Sequence, residues 1–351
     1  MTSQTWLLLA VTGIDAVLFH ALPFFSRPDI VFSVTVADTF AAGSAAATLV
    51  RRYRTAVWIS AAAAAAGLLL VQSTEIGVGL LLAQGMLGVA AWLWARGQAQ
   101  PHAASPPTVR TATIEPRQTR LPGGALFALG PLIVVAAAVS FLWWNWEAIP
   151  CRVPVRWSFD GAATGWRVKS IAGVYSALGM ATVIIVIMLV MAWLLVHRTR
   201  QVAITDAAAG PERRFKAVSA LQLLLSAYGL AALSTAFSVA PVLTGANRMS
   251  PAIPALIAAA VIVSLGCVLI LARLGQGGHR AVAPRMNAGA RGDATPDAAW
   301  KGGLVYFNPN DPALLVEKRL GLGWTLNLAN KWSWVLVGTV VALALLLRLL
   351  R

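Results

Sequence analysis

Long apolar runs dominate the chain, and the short polar stretches between them are where its charge collects. A membrane-spanning helix needs about 20 consecutive, mostly apolar residues. Eight segments meet or approach that length: Trp6–Phe25, Thr55–Ser73, Ile76–Ala95, Ala125–Trp144, Ile171–Val196, Ala217–Val239, Ile253–Ala272 and Trp332–Leu347, the last being the shortest. Asp15 is the one Lys, Arg, Asp or Glu inside any of them. The pattern predicts an all-α polytopic membrane protein with about eight transmembrane helices and two small ordered loop modules.

The loops supply an orientation. With Met1 outside, 21 of the 28 basic residues fall in inside loops and seven outside, alternating loop by loop as the positive-inside rule requires. Arg348 and Arg351 fit this poorly, so the last segment either crosses or only dips into the inner interface. Tryptophan agrees: Trp6, Trp58, Trp92, Trp94, Trp143, Trp144, Trp146, Trp193, Trp332 and Trp334 lie at span ends, where an indole has one wet edge. The first segment is too long, and too poor in preceding positive charge, for a cleaved signal peptide. The expectation is an inner-membrane, multi-pass protein with its N-terminus outside and its large basic loops in the cytoplasm.

Composition narrows the class further. The 351 residues are 58% hydrophobic and 12% charged, with a mean hydropathy of +0.71 and a net charge of +15. Soluble domains carry about 25% charged residues, so a soluble enzyme, a disordered tail and a disulfide scaffold are excluded. The basic excess is explained by orientation, and no nucleic-acid interface is expected, because the arginines are spread over four loops. Cys151 and Cys267 fall in a loop and a span and are not expected to pair.

Between the spans the chain divides into residues 1–95, a three-span unit; 96–122, a Pro-rich cytoplasmic linker; 123–273, a four-span unit; 274–331, a cytoplasmic tether and small module; and 332–351, the last span. Residues 37–54 read as an interfacial helix leading into the second span, with Arg51, Arg52 and Arg54 facing anionic headgroups. The loop 145–170 reads as an ordered external cap. Pro150 and Pro154 hold it extended, and Val153, Val155 and Trp157 alternate with Arg152, Pro154 and Arg156 as in a strand with one buried face. Asp160-Gly161 is a turn signal. In residues 297–331, Leu304–Phe307 is strand-like, Asn308–Asn310 a turn, and Asp311-Pro312 the start of a short helix through Arg319 that stops at Gly321. Trp324, Leu326 and Leu328 alternate again. A unit of about 30 residues cannot bury a sufficient core alone, so it must lie against the membrane or the bundle.

Both modules carry a resemblance. Ile149–Lys169, with Pro150, Pro154, Trp157, Gly161, Trp166 and Lys169, resembles a short bacterial membrane domain of unknown function that also occurs in Sdp-type toxin immunity proteins. It departs at Arg156 and Ser158, where that pattern usually has His and Asn. The second stretch resembles another domain of unknown function on Trp300, Lys301, Gly303, Tyr306, Asn308, Pro309, Asp311, Pro312, Lys318, Arg319, Gly321, Gly323, Trp324 and Asn327, and Pro28–Val36 is a looser third match. The resemblance implies a link to toxin immunity or sensing by analogy through a shared domain.

Chemistry is sparse. No HExxH or GxSxG motif and no second intramembrane acid occur, and His20, His102, His197 and His279 are scattered, so no catalytic residues, metal site or cofactor are expected. Asp15 reads either as a buried, hydrogen-bonded packing residue or as a ligand or proton site. Trp300 and Trp324, with Lys318 and Arg319, read as a platform for membrane docking or for phosphate. The functional expectation is a receptor- or immunity-like protein. Its cap, through Pro150, Pro154, Arg156, Trp157, Asp160, Gly161, Trp166 and Lys169, binds a peptide or envelope component, and its cytoplasmic module engages a protein partner. The rivals are a small-solute or ion permease centred on Asp15 and a structural subunit of a membrane complex.

Overall fold

The computed structural model describes residues 3–71, 73–104, 120–158, 161–199, 206–245, 249–281, 293 and 295–349. In chain order the helices are α1 (Ser3–Phe25), α2 (Asp38–Ala41), α3 (Ser44–Leu70), α4 (Thr74–Ala99), α5 (Gly124–Trp144), α6 (Ile171–Arg198), α7 (Asp206–Thr244), α8 (Ala252–Leu274) and α9 (Lys331–Leu349). Four antiparallel hairpins lie between them: β1–β2 (Ile30–Val31, Val34–Thr35), β3–β4 (Arg152–Trp157, Ala163–Val168), β5–β6 (Trp300–Lys301, Val305–Tyr306) and β7–β8 (Leu315–Glu317, Trp324–Leu326).

Among the described residues seven helices are long and apolar enough to cross a membrane, and their outward faces are apolar, so the chain is a polytopic membrane protein. The eighth predicted span becomes α9, a helix of 19 residues, Lys331–Leu349. The predicted interfacial helix 37–54 is also revised. Only Asp38–Ala41 is separate, and from Ser44 the chain is already α3, so Arg51, Arg52 and Arg54 sit on the spanning helix itself. The predicted linker starts later as well, since α4 runs to Ala99 and Ala104 N–H bonds the Thr35 carbonyl at 2.8 Å. Residues 105–119 lie outside the described residues.

The helices pack as two groups, α1 with α3 and α4, and α5 with α6, α7 and α8. The first core gathers Phe32, Tyr53 and Trp92 edge to face, with Tyr53 Oη donating to the Phe19 carbonyl at 2.9 Å. In the second, Pro131 removes the N–H that would have bonded the Phe127 carbonyl one turn earlier. Tyr228 on α7 supplies the substitute, donating from Oη to that carbonyl at 2.8 Å. The approach requires Gly130, because a Cβ there would overlap the Tyr228 hydroxyl. Missing donor, replacement donor and absent side chain thus fix where α5 meets α7.

Candidate functional site

Ser170 caps α6 by accepting from Gly173 N–H at 2.9 Å, which sets the angle at which the β3–β4 hairpin leaves the bundle. The hairpin is more irregular than its alternating sequence predicts. Pro154 has no N–H to give the ladder, and the register shifts between Pro154 and Arg156. As a result Val153 and Pro154 are both buried while Val155 is 45% exposed, which corrects the expectation that Val153, Val155 and Trp157 share a buried face. Gly165 stands opposite Arg156, and a side chain there would press on the Arg156 Cβ. Gly161 shapes the turn, and its carbonyl accepts from Met249 N–H at 2.9 Å, tying the hairpin tip to the α7–α8 connection. Asp160 lies outside the described residues.

Beneath the hairpin is a cavity of about 1230 Å³, walled by α6 (Ala177, Met180, Ala181, Ile184), by α7 (Leu230, Leu233, Phe237) and by Pro254 of α8. Of the predicted cap residues, Pro154, Arg156, Trp157 and Trp166 line it, together with Arg167. Trp157 packs on Phe237, with ring centroids 5.1 Å apart, and its Nε1–H is buried with no hydrogen-bond partner among the described residues. Arg167 donates to Ser176 Oγ at 2.9 Å. Lys169 and Pro150 stand away from the cavity; the Lys169 ammonium instead lies over the Trp146 ring at 5.1 Å, and Trp146 stacks on Tyr175. The lining is apolar with two guanidinium groups at one end, and it contains no carboxylate among the described residues.

The C-terminal module uses its motif residues to hold itself together. Asn327 is fully buried: its Oδ1 accepts from Asn308 N–H at 3.0 Å, and its Nδ2 donates to the carbonyls of Asn308 and Asp311. Tyr306 Oη donates to Asp311 Oδ2 at 2.8 Å and accepts from Asn308 Nδ2. Asp311 caps a tight turn, Ala313 N–H to Oδ1 at 3.0 Å, and not a helix. Leu315, Val316 and Glu317 form β7 where a short helix was expected, because all three are buried and pair with β8. Pro309, Pro312, Lys301 and Lys318 are exposed. Trp300 and Trp324 form no common platform. Trp300 packs with Ala299, Tyr306 and Val316, while Trp324 lies on Phe215 of α7. Gly321 and Gly323 both turn with positive φ, and Gly323 is held on both sides by Gln276, whose Nε2 donates to its carbonyl and whose Oε1 accepts its N–H, each at 2.8 Å.

Arg319 is the centre of this module and is 1% exposed. Its Nε and Nη2 donate to the two oxygens of Asp293, each at 2.9 Å; Nη2 also reaches the Thr295 carbonyl; Nη1 reaches Asp297 and the Ser33 carbonyl. Burial pulls the guanidinium down, but Asp293 and Asp297 more than offset that and hold it above its ordinary value. Ser33 belongs to the β1–β2 turn, where Phe32 and Ser33 adopt φ of 47° and 64°, and the same Ser33 carbonyl accepts from Arg96 at 2.6 Å. Nearby Arg27 pairs with Glu317 at 2.7 Å, and Arg280 donates to the Phe24 carbonyl. These contacts join α1, α4 and β1–β2 to the module, while Gln276 and Trp324 join the module to α7 and α8. Asp293, Asp297, Glu317, Arg27, Arg96 and Ser33 were not legible as partners. The available signal was that Asp293, Asp297, Asp311 and Glu317 fall within one short stretch of a chain with only 13 acidic residues.

Asp15 sits on α1 one turn from Thr12, and Gln84 of α4 donates from Nε2 to the Thr12 carbonyl at 3.0 Å. Thr12 Oγ1, Asp15 Oδ2 and Gln84 Oε1 are buried without hydrogen-bond partners among the described residues. No group of three or more His, Cys, Asp or Glu able to hold a metal occurs among the described residues.

Replacing Arg319 by Met leaves the buried Asp293 carboxylate without its cation and removes one partner of the half-buried Asp297, a loss of about 3–5 kcal/mol for a broken buried pair. Thermal unfolding in detergent should fall sharply, and limited proteolysis should release the C-terminal module before the helices are cut. A second expectation concerns His279, which is half-buried in the turn after α8 with Nδ1 3.0 Å from the Gln276 carbonyl. Burial, with Arg27 and Arg280 nearby, lowers it to about 4. Because its folded value lies below its unfolded one of about 6.5, its contribution to stability is present above pH 6.5 and is lost as pH falls towards 4, by at most about 3 kcal/mol. The fall in unfolding midpoint between pH 7 and 4.5 should be shallower in His279→Gln than in the wild-type chain.

Comparison with known proteins found one family model: residues 309–334 are similar to a family of unknown function (DUF5808), a small part of the chain that begins at Pro309 and ends within α9. No curated protein and no solved structure matches the chain.

Proposed function

We propose that this is a bacterial inner-membrane binding protein, receptor- or immunity-like and without catalytic activity. It captures or senses an extracytoplasmic peptide or envelope component in the cleft under the β3–β4 hairpin. The observation that carries the reading is the cleft: about 1230 Å³, open between α6 and α7, with Trp157, Trp166, Arg156 and Arg167 at its mouth. That volume exceeds the roughly 300–1,000 Å³ of small-molecule pockets and suits a larger apolar ligand. The likeness of Ile149–Lys169 to the domain shared with Sdp-type immunity proteins points the same way, as does the charge distribution, which puts this hairpin outside and the C-terminal module in the cytoplasm. In this reading the module clamps the two helix groups together, and its exposed Lys301 and Lys318 face a cytoplasmic protein partner.

One observation favours the second reading, a small-solute or ion permease. A carboxylate at span depth costs several kcal/mol unless neutralised or paired, and Asp15 lies beside the buried polar atoms of Thr12 and Gln84. A strain lacking the gene, challenged with a panel of membrane-active peptides, separates the two. The wild-type chain and Asp15→Asn should restore protection, and a Trp157→Ala, Trp166→Ala double variant at equal membrane abundance should not. If the double variant protects and Asp15→Asn fails, the permease reading replaces this one.

A further inference from the structure

We infer that the cleft takes an anionic, single-chain amphiphile, with its acyl chain between α6 and α7 and its acidic headgroup beside Arg156 and Arg167; this rests on the cleft being the binding site.

The deep part of the cleft decides the chain. At roughly 1.5 Å per residue, Ile184 lies about 20 Å along α6 from Ile171, and Leu230 about 20 Å back along α7 from Thr244. The cleft therefore runs from the headgroup level to about the middle of a bilayer whose hydrocarbon core is about 30 Å thick, the depth one leaflet's acyl chain occupies. Its deep walls are Met180, Ala181, Ile184, Leu230 and Leu233. The hydroxyl lining that depth, Ser234, already gives its proton to the Ala231 carbonyl at 3.1 Å. At the deep walls the helices' own carbonyls are used within the helices; the Phe237 carbonyl, which Pro241 leaves without its helical donor, lies nearer the mouth. An extended peptide entering here would bury backbone N–H and C=O groups with nothing to bond, which is strongly unfavourable in a medium without water. A hydrocarbon chain carries no such groups.

The mouth decides the headgroup. Arg156 is exposed and has no ion-pair or hydrogen-bond partner among the described residues; Arg167 is half-buried and uses Nη1 on Ser176. Guanidinium forks match the oxygens of a phosphate or carboxylate. No described acidic residue lines the cleft to compete for them. The Trp157 indole N–H, buried and unbonded beside them, is a further donor at headgroup level.

The test uses the full-length protein in neutral detergent and two radiolabelled probes of equal chain length, lysophosphatidylglycerol and lysophosphatidylcholine. The anionic probe should bind at least tenfold more tightly. An Arg156→Gln, Arg167→Gln double variant should remove that difference, and an Arg156→Lys, Arg167→Lys pair should keep part of it. Ala177→Trp, which fills the cleft from an exposed position on α6, should abolish binding of both probes without lowering the unfolding midpoint. Equal binding of the two lipids, unchanged in the Gln variant, overturns the headgroup assignment and leaves the cleft as a binding site. Binding of an amphipathic helical peptide, blocked by Ala177→Trp, with neither lipid bound, overturns the lipid class alone. If lipids and peptides all fail to bind, the inference and the binding-site reading fall together.

Discussion

A single buried guanidinium organises the extramembrane architecture. Arg319 cannot be left unpaired out of water, and its five N–H donors must all find acceptors in a fixed plane. The acceptors come from two separate places: the β1–β2 turn through Ser33, and the segment before β5 through Asp293, Thr295 and Asp297. Asp297 also accepts from the Thr35 backbone and hydroxyl. Because Thr35 and Ser33 belong to the loop after α1, the geometry that satisfies Arg319 also fixes the N-terminal helix group relative to the chain's last third. Arg27–Glu317 repeats the device a short distance away.

Such a clamp matters because the helix groups have little else in common. Each packs internally, and apolar helix surfaces gain no hydrophobic driving force from meeting one another inside lipid. Polar contacts at the membrane's edge, where water is excluded by packed protein, are the means left. The module thereby unites two bundles at one end, while the hairpin and its cleft lie at the other end of α6 and α7. The end of α7 away from the cleft is held to the module by Phe215 on Trp324, and the turn after α8 by Gln276 on Gly323.

The two predicted modules fared differently for physical reasons. The C-terminal motif residues were legible as a set, and the family match begins among them. Their use was not. Asn308, Asp311 and Asn327 look like ligand-binding polar groups, yet they spend their hydrogen bonds on the loop's own backbone and on Tyr306. Two signals misled. Asp311-Pro312 is a good helix start, but the following Leu315, Val316 and Glu317 gain more by burial in a strand pair than by a helical turn. Trp300 and Trp324 are close in sequence and flank basic residues, but the fold sends them to different cores. In the hairpin, strict alternation failed at Pro154, where the missing N–H breaks the ladder.

The sequence by itself determined the class of the protein, the course of seven spans and the positions of the loops that fold. Those follow from local quantities: apolar length against the thickness of a bilayer, the cost of burying charge, and the sorting of arginine between loops. The tertiary structure alone decided which groups meet. That Phe32 and Ser33 turn with positive φ to offer a carbonyl to Arg96 and Arg319, that Tyr228 repairs the carbonyl orphaned by Pro131, and that Arg156 and Arg167 line one cleft with residues of α6 and α7 all depend on contacts between residues far apart in the chain. Local composition carries no record of such contacts, because the energy that selects them arises only once the helices have packed.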